Sequence, residues 1–473
     1  MLSSKKMEEG KKKLHVLMFP WLAQGHIVPF IELSKRLAKH GLKVTFLSTP
    51  RNIAKIKPLL LGESGKIDLV ELPLPRVEGL LAGAESTADI PNEMEALLKT
   101  ALDGLEQPFE ELLGRLSPDY VVYDFSQYWA STVAAKLGIP AVFFLIFTAA
   151  VSSYMWVPER YKEEETTAEE LIVPPTGFPS TQIAWRPFEA RYVALAFTRF
   201  SGGVSAMDRF FKSIQGCSFM LIRSCYEMEE TFIRYFERAT GKTVVPVGPL
   251  PPDLPQKRLS EQESLCIRWL DKHPDSSVVY VSFGSECFLS KEQIGALALG
   301  LEATGLPFLW VLRFPRFSEE ECSPSVLLPE GFESRTQDRG LVYSEWAPQL
   351  QILAHPSVGV FLSHSGWSSV VEAVKFGVKL VLLPMNVDQG LNARLVGGEL
   401  KVGLEVEREE DGSFTEEHIR TAVHKVVKEE CEEGTTVKSR ICEMRESMFG
   451  NSEWEEKYIN RFIKRLEFST STN

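Results

Sequence analysis

Residues 346–389 read WAPQLQILAHPSVGVFLSHSGWSSVVEAVKFGVKLVLLPMNVDQ, and their pattern decides the fold. Two short apolar runs rich in β-branched residues, 358–362 and 379–383, have the composition of strands buried on both faces. Between them Ser365-Gly366-Trp367-Ser368-Ser369 leads into 370–376, which reads as a helix closed by Gly377 as its C′ residue. Strand, turn, helix and strand in this order form a βαβ unit, so a parallel sheet and an α/β class are expected.

The same turn carries chemistry. A strand that ends in a small, glycine-containing turn and then opens a helix points several backbone N–H groups outward, with the positive end of the helix dipole behind them, and this suits a phosphate. His364, Ser368 and Ser369 add side-chain donors there, each hydrogen bond to a charged group contributing roughly 1.5–3 kcal/mol. Glu372 lies one turn beyond Ser369 on the same face, where a carboxylate can accept from a ribose diol. Trp346 offers a flat face for a stacked base, and Asp388 with Gln389 follows the second strand at its carboxyl end, where α/β folds bind ligands. On the residues alone, the alternative is a plain βαβ unit with a capped helix.

The stretch closely resembles the signature box of the plant family 1 UDP-dependent glycosyltransferases: W-x-P-Q, then H-P, H-C-G-W-N-S, E, and a closing D/E-Q, over the same length. The resemblance implies the GT-B arrangement, two Rossmann-like domains facing across a cleft. It also implies that Trp346 and Gln349 hold uracil and ribose, His364 and Ser369 the diphosphate, Glu372 the ribose, and Asp388 with Gln389 the sugar. Ala347, Gly366 and Trp367 fall inside the box and are counted with the UDP-sugar site. Two positions depart from the pattern. Ser365 stands for the family Cys and is expected to be neutral; Ser368 stands for the family Asn, which leaves one phosphate contact shorter.

At 473 residues the chain is too long for one ordinary core and fits two domains. A hydrophobic fraction of 44% with 25% charged residues is that of a soluble globular protein. The net charge of −12 argues against nucleic-acid or anionic-membrane partners, which depend on clustered Lys and Arg. Seven cysteines without a C-x-x-C pair are expected to be free thiols in a reducing compartment. The N-terminus lacks the apolar segment of a secretory signal, and the longest apolar run, 139–151, contains Pro140 and is too short to span a bilayer. A cytoplasmic monomer without membrane insertion is the expectation.

Taken in order, 1–13 is a charged segment expected to be disordered, and 14–245 an N-terminal acceptor-binding domain. It opens with a strand over 14–20, the loop 21–26, a helix over 27–39 and a strand over 42–48, without the G-x-G-x-x-G fingerprint of nicotinamide or flavin sites. His26 ends that loop, and Asp124 ends a second short strand, 118–124. The two can meet above the sheet as a base and its orienting carboxylate. The structural alternatives are a capping role for His26 and an N-cap role for Asp124 at a helix over 126–136. The family resemblance reaches this half through looser motifs: it implies that Gly25-His26 carries the acceptor-deprotonating His and that Asp124, in a D-x-x-x-W-like context, orients it. Thr148 matches a family Ser/Thr near the donor only approximately.

Residues 158–187, rich in Glu, Thr and Pro, are expected to form loops over the acceptor pocket that leave the cleft wide; 204–215 and 228–240 look helical. The five prolines of 245–255 mark an interdomain linker, taken as 246–264. The C-terminal UDP-sugar domain then runs over 265–449, and 450–473 is expected, by analogy with the family, to be a helix returning to the first domain. A strand over 278–283 ends in Gly284-Ser285, a turn the family uses against the diphosphate, which adds Ser285 to the site.

The reaction implied is inverting transfer from a UDP-sugar, a co-substrate rather than a cofactor, to a hydroxyl of a small-molecule acceptor. UDP-glucose is the first choice of donor and UDP-rhamnose the alternative. The loop 19–26 resembles the branch that adds sugar to a sugar already on a flavonoid or terpenoid, so a glycoside acceptor is expected, with direct transfer to an aglycone as the alternative. Trp21, Phe125, Phe147 and Tyr154 are the candidate acceptor wall, with simple packing of the first strand the alternative for Trp21. No D-x-D pair of carboxylates occurs, so no catalytic metal is expected. Two other readings are a nucleotide-sugar-binding protein without turnover, which saturable UDP affinity with no UDP release would reveal, and an epimerase, against which the missing nicotinamide fingerprint argues.

Overall fold

The computed structural model describes residues 13–63, 67–162, 166–197, 204–255, 259–284, 287–313, 327–428 and 431–470. The expected disordered tail, apart from its last residue, and Ser285 lie outside these. Among the described residues thirteen strands form two sheets. The first contains β1 (His15–Phe19), β2 (Lys43–Ser48), β3 (Ile67–Glu71), β4 (Tyr120–Tyr123), β5 (Ala141–Leu145), β6 (Phe219–Ile222) and β7 (Val244–Pro246) in the order β3-β2-β1-β4-β5-β6-β7. The second contains β8 (Val278–Ser282), β9 (Phe308–Val311), β10 (Gly340–Tyr343), β11 (Val358–Ser363), β12 (Lys379–Leu382) and β13 (Gly403–Glu405) in the order β10-β9-β8-β11-β12-β13. Every pairing in both sheets is parallel. The two Rossmann-like domains of a GT-B fold are thus present.

The central strands are apolar along their length because helices cover both faces; β1, β4, β5, β8 and β11 are buried at every position. β3 is a sheet edge with only Ile67 buried, so IDLVE shows neither a continuous apolar run nor a clean alternation. β7 is three residues long and ends in Pro246, which an edge strand tolerates because its outer N–H groups need no partner.

Register positions the site. Phe19 pairs with Tyr123, so the segments leaving β1 and β4 emerge side by side at the carboxyl edge of the first sheet. In the second sheet Ser363 pairs with both Ser282 and Leu382, so the turns after β8, β11 and β12 emerge as neighbours.

The proline-rich segment after β7 is held by cationic side chains from both domains. Arg36 donates to Pro251 O (3.2 Å), Arg223 to Pro249 O (2.8 Å) and Lys375 to Pro252 O (2.7 Å). The last helix, Ser452–Thr470, returns to the first domain: Phe462 and Leu466 are buried against its core, the Tyr120 hydroxyl donates to Leu466 O (2.7 Å), and Arg36 Nε donates to Glu455 Oε1 (2.7 Å). Among the described residues no helix is long and apolar enough to cross a membrane.

The segment 158–187 and the helix that follows it reach the second domain. Ser180 Oγ donates to Glu399 Oε1 (2.6 Å), Arg186 pairs with Glu405 (3.1 Å) and Glu189 with Arg394 (2.7 Å). These charged and polar groups are interdomain contacts.

Candidate active site

The first helix begins at Gln24, three residues earlier than its apolar period indicated, so His26 sits in its first turn and not in a loop. The start is hidden in the sequence because the capping position is Ala23, which has no side-chain acceptor. His26 Nδ1 lies 2.7 Å from Asp124 Oδ2. That oxygen also accepts from Trp21 N (3.1 Å), while Oδ1 accepts from Phe125 N (2.8 Å). Both carboxylate oxygens are acceptors, so Nδ1 is the donor to Asp124, and in the neutral imidazole Nε2 is the nitrogen with the lone pair. Asp124 therefore orients His26 and caps only the short helix Phe125–Gln127; the expected helix over 126–136 starts at Ala130, with Trp129 and not Asp124 at its cap.

The rings of Phe125 and Phe147 flank the imidazole at centroid distances of 5.6 and 5.7 Å. Phe125 also stacks on Phe210 (4.4 Å), which stacks on Trp156. Two members of the expected acceptor wall are elsewhere. Tyr154 is fully buried and its hydroxyl donates to Leu171 O (2.8 Å), so it is a core residue satisfied internally. Trp21 is buried with its ring against Phe125 (6.3 Å), and what it gives the site is its backbone N–H to Asp124. Apolarity alone does not tell a cleft wall from the layer behind it.

Across the cleft, Gly366 caps the helix Trp367–Phe376, and Ser365 takes the left-handed conformation (φ 67°) that turns the chain into it. His364 fits between two glycines: a Cβ on Gly366 would lie 2.5 Å from its Nε2, and one on Gly284 3.0 Å. Burial pushes the His364 imidazole down to about 4, against a smaller opposing effect of the Ser282 backbone, and its Nδ1 has no partner. At pH 7 it is neutral. Unfolded, it titrates near 6.5, so below that pH the folded chain binds fewer protons than the unfolded one. Its contribution to stability is full above about 6.5 and is lost as pH falls towards about 4. His364→Asn is expected to flatten that part of the stability profile, measured by denaturant unfolding between pH 4 and 7; an unchanged slope would assign the titration to another group.

Trp346 is exposed, with the Arg313 guanidinium over its ring at 5.0 Å. Ala347 O accepts from Gln349 N (2.9 Å). Gln349 Nε2 donates to Glu372 Oε2 (2.7 Å) and approaches Ser369 Oγ (3.4 Å), and its Oε1 accepts from Tyr280 (3.2 Å). Burial raises the Glu372 carboxyl, opposed by the Gln349 N–H and by Arg223 and Lys375. At the end of the box, Gln389 Oε1 accepts from Met385 N and Asn386 N (both 2.9 Å), which leaves its amide nitrogen as the group to offer a ligand. Burial likewise raises the half-buried Asp388, opposed by the Asn392 amide and, from the other domain, by His26.

The sequence reading missed two residues that join the halves. Asn392, fully buried, donates to Asp388 Oδ2 (2.8 Å) and Ser365 O (3.2 Å) and accepts from Thr148 Oγ1 (3.0 Å). Thr148 thus reaches the donor side through Asn392. Arg223, at the end of β6, donates through Nη1 to Ser368 Oγ (2.7 Å). Trp367, counted with the ligand contacts, is a domain-interface residue: its indole N–H donates to Arg223 O (2.9 Å). The signal for Arg223 was present as a cation closing the apolar run FMLI. For Asn392 no local signal exists.

A family model described as UDP-glucoronosyl and UDP-glucosyl transferase matches residues 214–443, and one described as glycosyltransferase, N-terminal domain, matches residues 12–252. The chain is 39% identical over 465 residues to anthocyanidin-3-O-glucoside rhamnosyltransferase of Petunia hybrida, covering 97% of both chains. It is 38% identical to cyanidin 3-O-galactoside 2''-O-xylosyltransferase FGGT1 of Actinidia chinensis var. chinensis, covering 97% of this chain and 99% of the relative. Among solved structures, Arabidopsis thaliana UGT89C1 complexed with UDP-L-rhamnose aligns with a TM-score of 0.75 at 27% identity, over 96% of this chain and 100% of that one.

Proposed function

The chain belongs to the plant UDP-glycosyltransferases, and from that premise we propose that it transfers a sugar from a UDP-sugar, with inversion, to a sugar hydroxyl of a small-molecule glycoside. The observation that carries the reaction is the hydrogen bond between His26 Nδ1 and Asp124 Oδ2 (2.7 Å), which holds the imidazole in place. His26 Nε2 takes the proton of the acceptor hydroxyl as that oxygen forms its bond to the anomeric carbon. The bond from that carbon to the β-phosphate oxygen breaks, and UDP leaves with the electron pair. Its charge is received by the backbone N–H groups and helix dipole at Gly366 and by the neutral His364, which is electrostatic stabilisation of a leaving group. With these donors at the leaving group, the transfer is proposed to need no metal.

Gln389 Nε2 and the Asp388 carboxylate suit the vicinal hydroxyls of a hexose, so UDP-glucose is the first-choice donor, with UDP-rhamnose the competitor. The name of the Petunia relative describes transfer to a glucoside and that of the Actinidia relative transfer to a galactoside, which supports a glycosylated acceptor. The test offers one flavonoid aglycone and its monoglucoside side by side, each with UDP-glucose and UDP-rhamnose. The monoglucoside is expected to react faster, with the new linkage on its sugar. Faster reaction of the aglycone, at its own hydroxyl, would reject the glycoside acceptor and leave the general transferase.

A further inference from the structure

Arg223 is 1% exposed, yet its guanidinium is only partly satisfied. Nε donates to Pro249 O (2.8 Å) and Nη1 to Ser368 Oγ (2.7 Å), while Nη2 has no hydrogen-bond partner. A buried cation with an unused donor is costly unless an anion completes it. The place where it ends is the opening of the ten-residue helix Trp367–Phe376, where outward N–H groups already favour an anion. Ser368 is also the position at which the sequence departs from the family Asn.

Resting on the donor-binding reading above, we propose that Arg223, from the N-terminal domain, is a positioning residue for the donor diphosphate. By donating to Ser368 Oγ it makes that oxygen an acceptor and leaves the Ser368 O–H free to donate outward to a phosphate oxygen, with Nη2 behind the turn as a fixed cation. This accounts for the serine. An asparagine amide at 368 would compete for the space that Nη1 occupies, so the shorter side chain and the arginine act as one unit in place of the family's single residue. His364, neutral at pH 7, brings no net charge to the turn; burial lowers the Arg223 guanidinium only to about 10, so it remains a cation.

Calorimetric titration of the full chain with UDP and with uridine tests the unit. Wild type is expected to bind UDP more tightly than uridine. Arg223→Met is expected to weaken UDP by about tenfold and to leave uridine unchanged, a split that mere loosening of the domain interface would not produce. Ser368→Asn alone is expected to weaken UDP as well, because Arg223 stands in the way. The double variant is expected to recover most of the affinity lost by either single change, the non-additivity of a coupled pair. Equal loss of UDP and uridine in Arg223→Met, or tighter UDP binding in Ser368→Asn, would overturn the inference. The second variant decides the matter even if removing the buried arginine prevents folding. Wild type that does not prefer UDP to uridine would overturn the donor-binding reading itself, and with it this one.

Discussion

Replacing His26 with alanine is expected to lower turnover by about 10²–10⁴-fold while leaving UDP affinity nearly unchanged. The magnitude is that of a lost general base, and the split follows from the fold. His26 stands on the first helix of the N-terminal domain, whereas Trp346, Gln349, His364 and Glu372 hang from the second sheet. The measurement pairs initial rates with calorimetric UDP titration. Turnover that survives with an alcohol acceptor would remove His26 from the base role; loss of UDP binding in parallel would mean that the alanine had disturbed more than proton transfer. Asp124→Asn is expected to be milder. An asparagine amide oxygen can still accept from Nδ1, but it lacks the charge that steadies the imidazolium once the proton has moved. Its amide nitrogen must also face Trp21 N or Phe125 N, each of which now donates to a carboxylate oxygen.

Gly366→Ala is expected to weaken UDP by about tenfold to a hundredfold with little effect on folding, the size of one or two charged hydrogen bonds. The backbone does not forbid alanine, since φ at Gly366 is −63°. The obstacle is His364. The new Cβ would lie 2.5 Å from Nε2 and 3.0 Å from Cε1, closer than a Cβ contact allows. The imidazole must leave the diphosphate turn or the helix opening must shift, and either change removes donors from the leaving group. UDP titration and a thermal melt on the same preparation separate the site from the fold. Affinity within about threefold of wild type would mean that His364 is not a phosphate contact.

Much of this site was legible because it is local. Residues 346–389 carry their own strands, turn and helix, and a parallel sheet turns that order into neighbouring loops at one edge. His26 and Asp124 were readable as partners for a related reason: each follows closely on an apolar run, and runs that pair in parallel end at the same edge. What the sequence could not decide is which apolar and polar side chains face the cleft. Trp21 and Tyr154 look like wall residues by type, but they lie one layer behind it, since any aromatic next to a sheet edge has the same local pattern whether it faces ligand or core. The contacts of Ser180, Arg186, Glu189 and Asn392 carry no local signal in the sequence, and only the meeting of the two domains makes them. Arg223 with Ser368 is the sharpest case. The residues lie 145 positions apart in different sheets' connections, so no spacing or periodicity links them. A hydrogen bond between domains depends on how two independently specified sheets face each other, and that is decided by tertiary packing.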